Sequence, residues 1–236
     1  MRILSALLIT ATLSLAPLSA ALAQTATLAQ TATLTVTGTA TVEVAPDLAT
    51  LSLGVTTQGI TAGAAMSANS DAVAAVIARI KSAGVADRDI QTSNLSLNPN
   101  WVSNSTGTAS EIQGYIATNL LTIRIRTLDQ TGAVLDAAIA DGANSLNGLT
   151  FGLQDPRPTE DEARRQAVAD AMARATLLAG AAGIPLGPIQ EIRETSGDMP
   201  QPYQNFRMTD AAAAVPVEAG ALGITASVTI VFKLDQ

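Results

Sequence analysis

The sequence predicts an α+β fold: mainly antiparallel sheet, in one or more sheets, with about three helices and the element order ββαββαβαββ. Three observations carry that prediction. Several stretches alternate apolar and polar residues with period two, and others switch to the helical spacing of three and four. The strands also follow one another in runs instead of alternating with helices, which favours antiparallel pairing with helices laid over one face.

Leu34, Val36, Ala40, Val42 and Val44 alternate with Thr35, Thr37, Thr39, Thr41 and Glu43, and Gly38 falls on the apolar side, where it reads as a bulge. Ala45, Pro46 and Asp47 make a turn, after which Ala49, Leu51, Leu53 and Val55 alternate with Thr50, Ser52, Gly54 and Thr56. The two strands are expected to pair as a hairpin. Over residues 61–83 the period becomes helical, with Ala65, Ala72, Val73, Val76, Ile77 and Ile80 on one side and Gly84 as the stop, so this helix is expected to pack on that hairpin. Residues 90–101 read as a longer, more polar strand. Residues 114–126 pair with it as a second hairpin, placing Tyr115, Ala117, Leu121, Ile123 and Ile125 on one face, with a long tip rich in Ser, Thr, Asn and Gly between.

Asp129 is placed to cap a short helix through Ala140, with Gly142 following. The clearest signal covers residues 147–184. Leu149, Phe151 and Leu153 alternate with Thr150, Gly152 and Gln154, and Pro156 and Pro158 end that strand. Thr159 and Glu162 have capping-box spacing, so a helix is expected to start there. Its buried stripe is expected from Val168, Ala171, Met172, Ala175, Leu178 and Ala182, with Glu160/Arg164, Asp161/Arg165 and Asp170/Arg174 paired on the wet side. Gly183 stops it and Pro185 confirms the stop. Residues 188–195 read as a short strand, 196–220 as a loop of Pro, Met and Ala, and 221–234 as a last strand alternating through Leu222, Ile224, Ala226, Val228, Ile230 and Phe232.

Residues 1–23 carry Arg2, an apolar run to Ala16 and the small-x-small end Ala21-Leu22-Ala23, the pattern of a cleaved signal peptide. Residues 24–33 then read as a flexible N-terminal arm and 34–236 as the folded domain, with a division into two subdomains near residue 127 as an alternative. The chain has no cysteine and no histidine, which removes Ser-His-Asp and Cys-His catalysis and zinc sites built on thiolate or imidazole. Lys and Arg number 13 against 20 Asp and Glu, and a net charge of −7 disfavours nonspecific nucleic-acid binding. One Trp, two Tyr and three Phe leave the core to aliphatic side chains.

Taken together, VTGTATVEVAPDLATLSLGV at 36–55, DIQTSNLSLNPNW at 89–101 and GLTFGLQDPRPTEDEARRQAVADAMARA at 148–175 resemble the SIMPL-domain family, also called DUF541, over nearly the whole mature chain. The resemblance implies export to the periplasm or association with the outer membrane of a Gram-negative bacterium, no established catalytic residues, and a loose link to oxidative or envelope stress. It carries over no functional residue.

Candidate residues are few. Glu160, Asp161 and Glu162 suit a helix's first turn for dipole reasons better than they suit a cation site. Asp87 and Asp89 flank Arg88 in what reads as a solvated turn, and Arg124 and Arg126 project from one strand face, as an anion site or, more simply, a charged face. Asn94 and Asn119 are expected to satisfy one another across the second hairpin. No catalytic, cofactor-binding or metal-binding residue is assigned. The first and last strands carry only Glu43 and Lys233 as charges, so their edges are weakly blunted, and Met199, Tyr203, Phe206 and Met208 in the late loop join them as an expected surface for self-association.

The reading is an exported, non-enzymatic envelope protein, an oligomeric binding or assembly module whose partners are copies of itself and an envelope or outer-membrane component. The alternatives are a factor in oxidative or envelope stress defence and, less well supported, an enzyme using carboxylates or a metal. With Ala21 and Ala23 at the positions read by signal peptidase, the mature protein is expected to begin at Gln24. Intact-mass measurement on the envelope fraction checks this, and a mass that retains residues 1–23 contradicts it.

Overall fold

The period-two stretches resolve into two antiparallel sheets, each covered on one face by helix. A computed structural model of the chain describes residues 32–103, 110–195, 201–203 and 217–235. The strands are β1 (Thr33–Val44), β2 (Leu48–Gly59), β3 (Ile90–Ser103), β4 (Ser110–Ile125), β5 (Ser145–Gly152), β6 (Leu186–Thr195), β7 (Gln201–Tyr203) and β8 (Ala221–Leu234). The helices are α1 (Ala62–Ser82), α2 (Thr131–Ala140) and α3 (Arg157–Ala182). This is the expected α+β order with one short strand, β7, added in the late loop.

The pairing differs from expectation at the first turn. β1 and β2 do not form a hairpin: β1 pairs with β8 in one sheet, ordered β1-β8-β6 with β7 also on β8, while β2 lies between β4 and β5 in the other, ordered β3-β4-β2-β5. Alternation fixes which face of a strand is buried but not which strand lies beside it. Ala45 to Asp47 is therefore a crossover between sheets. β8, expected at an edge, is flanked on both sides. Residue 127 falls between β4 and α2, and both of these belong to the layer of the second sheet.

Each sheet has its own core. Ala49, Leu51, Leu53 and Val55 of β2 and Leu121, Ile123 and Ile125 of β4 pack against Val73, Val76 and Ile80 of α1 and Val134, Leu135 and Ala138 of α2. Thr61 caps α1 by accepting the Ala64 N–H at 3.2 Å, and Gly84 leaves the helix at φ +97°. The expected cap of α2 is not Asp129: residues 128–130 form a 3-10 turn first, and Gln130 precedes the helix without a side-chain cap.

The other core rests on α3 against β1 and β8. The helix begins at Arg157, before the expected Thr159, because Arg157 and Pro158 occupy first-turn positions whose N–H groups lack intrahelical partners in any case. Its buried residues are Ala163, Ala167, Ala171, Ala175 and Ala179, a ladder of alanines four apart. Met172 and Leu178 of the expected stripe are exposed, and Val168 flanks the core, half-buried. Gly38 explains why alanine wins. It sits in unbroken register opposite Val228 and makes no bulge, and a Cβ there would lie 2.1 Å from the Ala167 carbonyl oxygen and 2.4 Å from the Ala171 nitrogen. Helix backbone rests on strand backbone, so only methyl groups fit between them. The helix then ends at Gly183 in the left-handed region, φ 68°, with the Ile184 N–H bonded to the Ala179 carbonyl at 3.0 Å.

Gly38→Ala is therefore expected to destabilise the protein by about 2–3 kcal/mol, a fall in Tm of roughly 5–10 °C for a chain of this size. Gly148→Ala is the control: a Cβ at Gly148 meets nothing within 4 Å. Thermal melting of the two variants checks this, and equal melting points would place α3 farther from β1 than described.

Candidate functional site

The two places where the chain passes between sheets are laced together. The first crossover holds Asp47 and the second, from β5 into α3, holds Gln154. Asp47 Oδ1 accepts the Gln154 N–H at 2.7 Å, its carbonyl accepts Gln154 Nε2–H at 2.8 Å, and its own N–H donates to the Gly152 carbonyl at 3.1 Å. Arg126, at the end of β4, donates from Nη1 to Gln154 Oε1 at 3.0 Å. Its Nε and Nη2 grip Asp89 Oδ2 and Oδ1 at 2.9 and 2.7 Å, the bidentate fork that favours arginine here. Asp89 was expected in a solvated turn, yet it is only 5% exposed. The Arg126 guanidinium, through these hydrogen bonds, holds its carboxyl below the usual carboxylate range against the opposing effect of burial. Only the register joining Ile90 to Ile123 brings the two residues together, and the sequence alone does not supply it.

That clamp takes up Arg126, so Arg124 and Arg126 do not form a joint anion site. Arg124 is exposed beside Thr50. In the N-terminal third of α3, Arg164 pairs with Glu160, which lies in the first turn, at 3.5 Å and with Asp161 at 2.8 Å, and reaches Glu194 on β6 at 2.7 Å. Arg165 pairs with Glu162 at 2.7 Å, not with Asp161.

A second polar contact protects β1. Asp170 of α3 accepts the Thr39 N–H at 2.9 Å and binds Arg174 at 3.0 Å, and Arg174 donates to the Thr37 carbonyl at 3.2 Å. Among the described residues no strand pairs with β1 on this side, so the helix blunts an edge whose own sequence does not. The Thr39 N–H lowers the pKa of Asp170.

The open surface lies elsewhere. β4 pairs with β2 only as far as Tyr115 opposite Gly59, while β3 and β4 continue together to Ser103 opposite Ser110. The excess is a two-stranded arm. Leading up to it on β3, Leu95 and Leu97 stand opposite Asn119 and Ala117, the face that α1 covers farther in; Pro99 stands opposite Tyr115 at the root of the arm, and beyond a bulge Trp101 stands opposite Ile112. α1 lies over β2 and β4 and barely reaches β3. Leu95, Leu97, Trp101 and Ile112 are accordingly 53%, 39%, 57% and 46% exposed.

Asn94 and Asn119 are out of register and do not pair. Asn119 Oδ1 is buried without a protein partner, as is Asn69 Oδ1. Asn69, on the buried stripe of α1, donates from Nδ2 to the carbonyls of Val55 and Ala117 at 2.9 and 3.2 Å, pinning the helix to the β2–β4 ladder. Its place between Ala65 and Val73 at i,i+4 spacing was the available signal for burial. Of the residues expected in self-association, Tyr203 lies in β7 with its backbone paired to Ala221, while Met199, Phe206 and Met208 lie outside the described residues.

These features define an α+β module of two helix-backed sheets joined by a polar clamp, with one arm reaching past its sheet. The chain belongs to the SIMPL family, described as a protein of unknown function (DUF541), which matches residues 34–232. It is 38% identical over 199 residues, 80% of each chain, to the 26 kDa periplasmic immunogenic protein of Brucella melitensis. It is 29% identical over 198 residues, 82% of this chain and 80% of the other, to the uncharacterized protein YggE of Escherichia coli K12. The YggE of Edwardsiella ictaluri is 29% identical over 202 residues, covering 83% and 84% of the two chains. Among the described residues no helix is long and apolar enough to cross a membrane.

Asp89 and Asp170 both have folded pKa values below the unfolded reference of about 3.9, so their stabilisation is complete above that value and is lost as pH falls through the folded values. The urea midpoint is expected to hold near neutral pH and drop below about pH 4. Asp89→Asn should start lower at neutral pH and converge on wild type in acid. Urea titrations across this range check it, and parallel curves would remove Asp89 from the acid response.

Proposed function

We propose that this protein is a non-enzymatic periplasmic module that works by assembling with copies of itself through the β3–β4 arm. The similarity to a protein named periplasmic, together with the signal-peptide pattern, supports export to the cell envelope. The observation that carries the assembly reading is the arm's apolar stripe. Leu95 and Leu97 on β3, beside the β2–β4 pair, run on into Trp101 and Ile112 of the two-stranded arm as an exposed apolar stripe that α1 barely reaches, and monomeric soluble proteins seldom expose such faces without a binding role. Isolated two-stranded ribbons are also marginal in water, so a contact that covers this one stabilises it. The edge of β1, by contrast, is partly taken up by Asp170 and Arg174, which moves the expected contact from that edge to the arm.

The non-enzymatic reading rests on how the polar groups are used. Arg126 and Asp89, the Arg164 cluster and Asp170 with Arg174 are committed to one another or to backbone. Two cavities built by described residues, one beside Leu135 and Asn144 and one beside Gln58 and Asn100, have no acid, lysine or arginine in their walls.

Size exclusion with light scattering on the mature protein at micromolar concentration tests the assembly. The expected result is a species larger than a monomer, with Leu95→Ser/Leu97→Ser shifted to a monomer that still unfolds in one cooperative transition. A wild-type monomer, or a double variant that assembles like wild type, overturns this reading.

A further inference from the structure

We infer that the cavity at the root of the β3–β4 arm is a binding site for an uncharged saccharide chain. Where β2 leaves the sheet, Gln58, Asn100, Gln113 and Tyr115 surround a space of about 420 Å³, within the range of small-ligand sites. The chemistry of its walls selects the ligand class. Each carboxamide both donates and accepts, as a sugar hydroxyl or acetamido group does, and the tyrosine adds a hydroxyl and a ring face. The lining carries no acidic or basic side chain, so nothing in it compensates the desolvation of an ionic ligand.

The site is also held in place. A Cβ on Gly114 would come within 2.8 Å of the Gly59 carbonyl oxygen, and one on Gly59 within 2.5 Å of the Ala65 nitrogen, so β4, the end of β2 and the start of α1 touch backbone to backbone. The backbone floor that carries these carboxamides is thereby fixed, which lowers the reorganisation that weak, hydroxyl-based recognition has to overcome. Gln58 and Gln113 are exposed, and Asn100 and Tyr115 half-buried, leaving a polar mouth open to a chain longer than one sugar. The site is distinct from the apolar stripe proposed for assembly.

The chain's single tryptophan, Trp101, adjoins Asn100 and serves as the reporter. Mature protein is titrated with the tetramer of β-1,4-linked N-acetylglucosamine and with maltotetraose, by tryptophan fluorescence and by calorimetry. Saturable binding of either is expected, and comparison of the two shows whether the acetamido groups are read. Asn100→Ala and Gln113→Ala are each expected to weaken binding about tenfold, the loss of roughly one or two hydrogen bonds, with unchanged melting. The Leu95→Ser/Leu97→Ser variant is expected to keep binding even where assembly is lost, so the two readings fail separately. No saturation by either oligosaccharide at millimolar concentration, or wild-type affinity in the Asn100→Ala/Gln113→Ala double variant, overturns the inference.

Discussion

The structure depends on Asp47 holding Gln154. Two cores that, among the described residues, share no buried side chain are joined by chain crossings, and a crossing of three or four residues is a flexible joint unless its polar groups are bound. Here the carboxylate, carbonyl and N–H of one residue are all bonded to residues 152–154 of the other crossing. Arg126 then ties that pair to the end of β4 and to the turn before β3 through Asp89. The three sequence stretches that resemble the family each contribute to this clamp: Asp47 in the first, Asp89 at the head of the second and Gln154 in the third. Their common denominator is a structural joint, which gives a physical reason for the three motifs.

What was legible in the sequence follows from what local patterns encode. Alternation located the strands and their buried faces, and Gly84, Gly142 and Gly183 marked helix ends because each adopts a positive φ. Partners were less legible. A Pro-Asp turn between two alternating stretches looks like a hairpin whether Asp47 faces a neighbouring strand or a distant glutamine. The stripe of α3 was located at Ala171 and Ala175 but widened wrongly to Met172 and Leu178 for a related reason: hydrophobicity favours the larger side chains, but the closeness set by Gly38 rewards the smallest. Gly38 itself carried the signal, since a glycine on the buried face of a strand marks either a bulge or a close backbone approach.

The same limit applies to the candidate surfaces. The apolar stripe of the arm belongs to an alternation that, read alone, announces a buried face. It became an open face only because α1 was found to lie across β2 and β4. The cavity beneath it was illegible for the same reason: Gln58, Asn100 and Gln113 are ordinary polar strand positions until the end of β2 is set against the root of the arm.

Strand length then connects fold to function. β2 has 12 residues and β4 has 16, and with Gly59 fixed opposite Tyr115 the surplus of β4 falls entirely at the arm. The helix that follows β2 must start where β2 ends, because Gly59 packs directly on the backbone of Ala64 and Ala65. α1 therefore cannot extend over the arm without breaking that contact. A longer β2 would run alongside residues 110–114 of β4 and fill the space between Gln58 and Gln113. The early end of β2 thus leaves the arm two-stranded and the polar cavity open, while Leu95 and Leu97 are exposed because α1 lies over β2 and β4 and barely reaches β3.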